Sequence, residues 1–226
     1  MSYKRSQLEA AITRLFNPGS SEPAPELRTR IKRLLELDRN LGRKLRSKDP
    51  EECNFAFFSE DPPGTGADIS FSEYEAFALS NALSIMHHGW PQSLAVSIMR
   101  RVRPVLTMEH ARILRQAPEK LFKSEAIREN ARPGDFVVHN TKPVFLTLVS
   151  KGHRTPDETK TVPECAVCRG LEEVYKFRDL MRASSWTMLE VARMAHRLRE
   201  ELRKTEPRRR GRVSIRTGPG GNAYEK

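Results

Sequence analysis

The sequence predicts a mainly α-helical fold with small β ribbons, in the α+β class. Three observations predict it. Apolar residues recur at spacings of three and four through most of residues 1–116 and again after residue 164. Proline and glycine cut that pattern into helix-sized lengths, at Pro18-Gly19, Pro91 and Pro104. Between 136 and 150 the texture changes to short Val-, Phe- and Leu-rich runs about Asn140–Pro143, which is the pattern of strands.

Residues 5–16 read as an amphipathic helix with Leu8, Ala11, Ile12, Leu15 and Phe16 on one face. The stretch NPGSSEPAP stops it. A second helix begins near Pro25, which suits a first helical turn, and carries Leu27, Ile31, Leu34 and Leu35. The polar GRKLRSKDPEE leads into the apolar FAFF (55–58) and the turn-rich EDPPGTGAD (60–68), predicting a two-stranded ribbon with an exposed tip.

Ser72 and Glu75 form a capping box at the start of a third helix. His87-His88-Gly89 ends it, the histidines meeting the negative end of the helix dipole. After Pro91 a fourth helix sets Leu94, Ala95, Ile98, Met99 and Val102 on one face and Arg100, Arg101 and Arg103 off it. Pro104 closes this helix, and Thr107 caps a fifth through Ile113 and Leu114. FVVHNTKPVFLTLVS then reads as a hairpin, followed by a loop, a helical region from about 165 to 204, and a disordered basic end. The division expected is 1–116, 117–163, 164–206 and 207–226.

Charge narrows the function. Lysine and arginine number 40 against 29 acidic residues, for a net charge of +11 in 226 residues and a pI near 9.9. Such a surplus attracts polyanions, nucleic acid first and anionic membrane second. No apolar run approaches the roughly 18 residues of a spanning helix. The opening MSYKRSQLEAAITRLF lacks a signal peptide's apolar stretch, and three cysteines do not make a secreted disulfide framework. A cytoplasmic location without membrane attachment is the expectation.

The second helix holds the feature that carries function. Arg28, Arg30, Lys32 and Arg33 alternate with apolar residues that dock its other side. A helix entering the major groove needs that division, with guanidinium and ammonium donors offered to phosphates and base edges. Arg39, Arg43, Lys44, Arg46 and Lys48 continue the charge towards the ribbon. A solvated basic face would look the same.

Helix, turn, basic helix, ribbon and helix pair is a layout that resembles the MerR-type winged helix-turn-helix of bacterial regulators, over about residues 5–105. The segment LRTRIKRLLELDR resembles that family's recognition helix and following turn, and FSEYEAFALSNALSIMHHGWPQSLAVSIMRRVRP the two helices after its wing. Asn54-Phe55 stands in place of the family's arginine-aromatic pair. The resemblance implies duplex DNA as partner, Arg28, Arg30, Lys32 and Arg33 at the groove, and Arg43, Lys44 and Arg46 as wing contacts.

Val174, Phe177, Met181, Ser184, Met188, Val191, Ala195, Leu198 and Leu202 alternate spacings of three and four. Such a seam suits a coiled-coil homodimer reading a paired half-site, with Met181, Met188, Val191, Leu198 and Leu202 as its contacts. Two shorter helices, the second capped by Thr187 and Glu190, would show the same stripe.

Cys165 and Cys168 form a CxxC, the spacing at which two thiolates share a structural zinc; otherwise they pack in a helix's first turn. No cofactor is expected beyond that zinc. PGTG at 63–66 lacks the lysine and hydroxyl of a phosphate loop, and the acidic residues are scattered, so an enzyme is not expected. Trp90 and Trp186 read as core anchors. Arg208, Arg209, Arg210 and Arg212 offer phosphate contacts or simply solubilise the end. The reading is a homodimeric transcription regulator on duplex DNA, with the transcription machinery as further partner. Its rivals are a protein-interaction adaptor such as an antirepressor, an architectural DNA-binding protein, and a nucleic-acid-processing enzyme.

Overall fold

Two helices from opposite ends of the chain pack together and close the fold: α1 (Arg5–Phe16) and α9 (Val191–Lys204). The computed structural model describes residues 2–20, 22–62, 69–130, 140–150, 163–183 and 185–206. Between α1 and α9 come α2 (Pro25–Leu41), the short α3 (Pro50–Cys53), α4 (Glu73–His87), α5 (Gln92–Leu114), α6 (Pro118–Phe122), α7 (Ser124–Asn130) and α8 (Gly170–Met181). Two small sheets accompany them. β1 (Tyr3–Lys4) pairs antiparallel with β2 (Ser70–Phe71), and β3 (Val144–Ser150) lies between β4 (Glu164–Arg169) and β5 (Ser185–Glu190). The expected class, mainly α with small β ribbons, is the class observed.

One hydrophobic core takes residues from Tyr3 to Leu202. It therefore runs through segments that the sequence assigned to separate regions. Phe57, Phe71 and Phe77 are its largest fully buried rings, beside Leu8, Ile12, Ile31, Leu34 and Met99. Ion pairing locks the two ends of the chain: Arg14 Nε donates to Glu201 Oε2 at 2.6 Å. Gln7 Nε2 reaches the Thr205 carbonyl at 2.8 Å.

The three-stranded sheet has two dressed faces. Leu146, opposite Val167 on one side and Leu189 on the other, points into the main core. One residue earlier the pleat reverses, and Phe145 packs with Cys168 and Met188 beneath Val174 and Phe177 of α8. The outer edge of β4 is flanked by α5, where Glu109 accepts from Arg169 and from Arg112. Burial raises the Glu109 carboxyl, but the two arginines outweigh it and hold it below the usual carboxylate range. No helix among the described residues is long and apolar enough to cross a membrane.

The structure corrects several expectations. FAFF is not a ribbon strand; all four residues are buried in an irregular segment, and the short ribbon forms instead between β1 and β2. The physical reason is that carboxylates satisfy its backbone. Asp38 accepts from the amides of Ala56 (3.0 Å) and Phe57 (2.9 Å), and Glu75 from the amide of Ser59 (2.6 Å). Pro104 does not end a helix, since α5 runs through it with Val102, Leu106, His110 and Ile113 keeping one buried stripe. Packing overrides the lost amide. Thr107 accordingly bonds back to the Arg103 carbonyl rather than capping.

The helical seam expected near the C-terminus is interrupted. Met188 lies in β5, and Val191, Leu198 and Leu202 are at most 1 % exposed inside the chain's own core, so they are not available to pair two copies. Met181 ends α8 half-buried. Glu190, rather than Thr187, caps α9, accepting from the amides of Ala192 and Arg193 at 3.0 Å each. Trp186 is exposed rather than a core anchor. Trp90 is half-buried, donating to Thr187 Oγ1 at 3.2 Å.

Cys165 and Cys168 sit on a strand, not in a helix turn. Three residues apart there, they face opposite sides: Cys165 packs on the main core and Cys168 on the cluster under α8. They do not converge on one metal. Burial pushes the Cys165 thiol up to about 12 and the Cys168 thiol up as well. The ribbon tip at 63–68, the first strand of the expected hairpin, the loop after 150, Ser184 and the basic end from 207 lie outside the described residues.

Candidate nucleic-acid interface

Helix α2 builds the site. Pro25 occupies its first turn, where a missing amide costs nothing. Ile31, Leu34, Leu35 and Asp38 form its inward stripe, and all four are buried. At 100° per residue the opposite side is centred near Arg33, with Arg30 and Lys32 on its two shoulders and Arg28 at the edge of the buried stripe, one heptad before Leu35. Arg28, Arg30, Lys32 and Arg33 are all exposed, which is the outward placement the sequence predicts. Glu26 and Glu36 share that side, so three cations, Arg30, Lys32 and Arg33, stand there against two carboxylates.

The four are not equally engaged. Arg28 lies 3.8 Å from Glu9 and 3.6 Å from Glu22, and Lys32 lies 3.6 Å from Glu36. The pairs with Glu22 and Glu36 are loose and exposed, contribute little and rearrange easily, while Glu9 is a buried carboxylate that Arg5 holds at 2.8 Å. Arg30 and Arg33 form no ion pair among the described residues.

Past α2 the expectations divide. Gly42 ends the helix at φ +61°, a conformation that suits glycine, and its carbonyl accepts from Arg100 Nη1 at 2.8 Å. Arg39 is not an outward cation. Its guanidinium lies 6.0 Å from the Phe58 ring centre, and its Nε is buried without a hydrogen-bond partner among the described residues. Arg43 is also engaged, donating to both Asp61 oxygens at 3.0 and 3.2 Å while sitting 5.3 Å from the Phe55 ring centre. Folding assigns these two arginines to fixing the FAFF segment, because a guanidinium over a ring is already desolvated. Lys44 bonds Glu52 at 2.6 Å on the surface, and Arg46 and Lys48 are exposed.

The polar node beneath α2 was not assigned a role from sequence. Arg100 donates to the Asp38 carboxylate at 2.7 Å and to the Asp38 carbonyl at 2.6 Å. Arg103 donates to the Phe55 and Ala56 carbonyls at 2.8 and 3.1 Å and lies 5.2 Å from the Tyr74 ring centre. Arg101 donates to Glu51 at 3.0 Å. The signal was present: an aspartate on the apolar stripe of α2 implies a buried cation facing it. Through this node α5 holds α2 and the FAFF segment together, and the outward cations are thereby carried on a fixed support.

Among the described residues no three His, Cys, Asp or Glu side chains converge to hold a metal ion. No protein-family model matches the chain, and comparison with curated proteins gives no match.

Proposed function

We propose that this chain is a duplex-DNA-binding regulator of transcription that lays α2 in the major groove. The observation that carries this reading is the division of α2: Ile31, Leu34, Leu35 and Asp38 buried, Arg30 and Arg33 exposed and without ion pairs among the described residues. A helix of 17 residues is about 25 Å long, and the groove, about 12 Å wide, admits one. Arg30 and Arg33 are the groove-reading residues, Arg28 and Lys32 contact phosphates after exchanging their loose carboxylate partners, and Lys44, Arg46 and Lys48 extend the phosphate track. In the arrangement that MerR-type resemblance implies, α1 supports α2 from behind. The protein acts by binding rather than catalysis, in the cytoplasm, one protomer to one site.

The test is selection of bound duplexes from a random pool by the full chain, followed by footprinting. Recovery of one sequence with protection in a major groove is the expected result. Equal binding to all duplexes reduces the function to architectural association.

One observation favours a second reading, an interaction adaptor. On α8 and β5 the exposed rings of Tyr175 and Trp186 flank Arg178, whose guanidinium lies 5.4 and 5.2 Å from their centres. Aromatic residues and arginine are the residues of protein–protein hot spots.

A further inference from the structure

A second basic feature lies away from α2. The outer side of α9, the end of α5 and the short α6 enclose a cleft of about 610 Å³. That volume falls within the range of small-molecule sites. Arg193, Arg197, Arg199, Arg203 and Lys204 line it against two carboxylates, Glu119 and Glu200. Leu114, Pro118 and Phe122 give it an apolar wall.

The cations divide by what they already do. Arg199 is engaged with Glu73 and with the Leu114 carbonyl at 3.0 Å, and Lys204 with Glu200 and Glu201. Arg193 lies 4.6 Å from the Phe122 ring centre. Among the described residues Arg197 makes only a long 3.4 Å contact with the Leu15 carbonyl, and Arg203 forms no ion pair. Two guanidinium groups therefore remain for an anion, a group that arginine grips in a two-pronged manner.

Two orphaned atoms mark the same cleft. His196 Nε2 and Gln116 Oε1 are both buried without a hydrogen-bond partner in the described structure, and both residues line the cavity. A buried polar atom has lost its water, so each of the two is unfavourable until something pairs with it. A molecule carrying both donor and acceptor groups pairs with both.

We propose that this cleft binds an organic phosphate of nucleotide size, its anionic end held by Arg197 and Arg203 and its body against Phe122, Pro118 and Leu114, with His196 and Gln116 reading its polar groups. This goes beyond the DNA-binding reading and uses none of its residues.

Calorimetric titration of the full chain with adenosine triphosphate tests it, beside inorganic triphosphate and the double variant Arg197→Gln with Arg203→Gln. Expected are one site of submillimolar affinity, at least about tenfold weaker binding of inorganic triphosphate, and at least about tenfold loss in the variant at an unchanged melting temperature. NMR of the His196 ring should show the Nε2 resonance moving on saturation. Absence of binding, equal affinity for inorganic triphosphate, or an unaffected double variant overturns the proposal. Duplex binding through Arg30 and Arg33 should be unchanged in the variant, so the two readings fail separately.

Discussion

Arg100 Nε donates to Asp38 Oδ1 at 2.7 Å, with the arginine 4 % exposed and the aspartate fully buried. Asp38 also accepts the amides of Ala56 and Phe57, so one carboxylate ties α2, α5 and the FAFF segment. Such a pair is weak evidence for stability taken whole, but removing one partner strands the other charge. Arg100→Met should therefore lower the unfolding free energy by roughly 3–5 kcal/mol in urea titration. A loss below about 1 kcal/mol would show that the node is not what fixes α2.

Leu198 separates a core from a dimer seam. Buried at 1 % in the chain's own core, it should cost about 2–5 kcal/mol on change to alanine. The unfolding midpoint of both proteins should not depend on protein concentration. A midpoint that rises with concentration, and does so less in the variant, would restore the seam.

His110 gives the fold an acid sensitivity. It is buried with its ring 4.5 Å from that of Phe77, and burial brings it down to about 4. Glu73 opposes that shift, while Arg199 and His196 add to it. The folded form resists protonation while the unfolded chain takes a proton near pH 6.5. Stability is thus complete above 6.5 and falls as pH drops towards 4, by roughly 3 kcal/mol at about 1.4 kcal/mol per unit. His110→Phe should remove that part of the slope in denaturation measured from pH 7 to pH 4. A variant with the parent's slope contradicts the assignment.

Local periodicity made α1, α2, α4 and the first half of α5 legible, because each has an apolar stripe that its own sequence declares. The Ser72–Glu75 capping box was equally legible, being contained in four residues, and it forms as read. What escaped was non-local. FAFF looks like a strand, yet the amides of Ala56, Phe57 and the following Ser59 go to carboxylates 16 to 19 residues away in sequence, which no local pattern encodes. The stripe from Val174 to Leu202 has helical spacing by coincidence across α8, β5 and α9. Three-residue spacing of Cys165 and Cys168 joins them on a helix and parts them on a strand, so their meaning depended on an element that β3 decides. In the interface, the outward cations of α2 were readable from the helix alone. Arg39 and Arg43 were misplaced because their aromatic partners, Phe58 and Phe55, become neighbours only on folding.

The most direct measurement is the salt dependence of duplex binding by the full chain and by Arg30→Ala with Arg33→Ala. Each phosphate contact adds about 0.9 to the slope of log K against log salt. If α2 lies on the duplex, the double variant should bind at least about tenfold more weakly, fold as well as its parent, and show a slope shallower by about one to two. An unchanged slope and affinity would place the DNA on another basic surface and contradict the account.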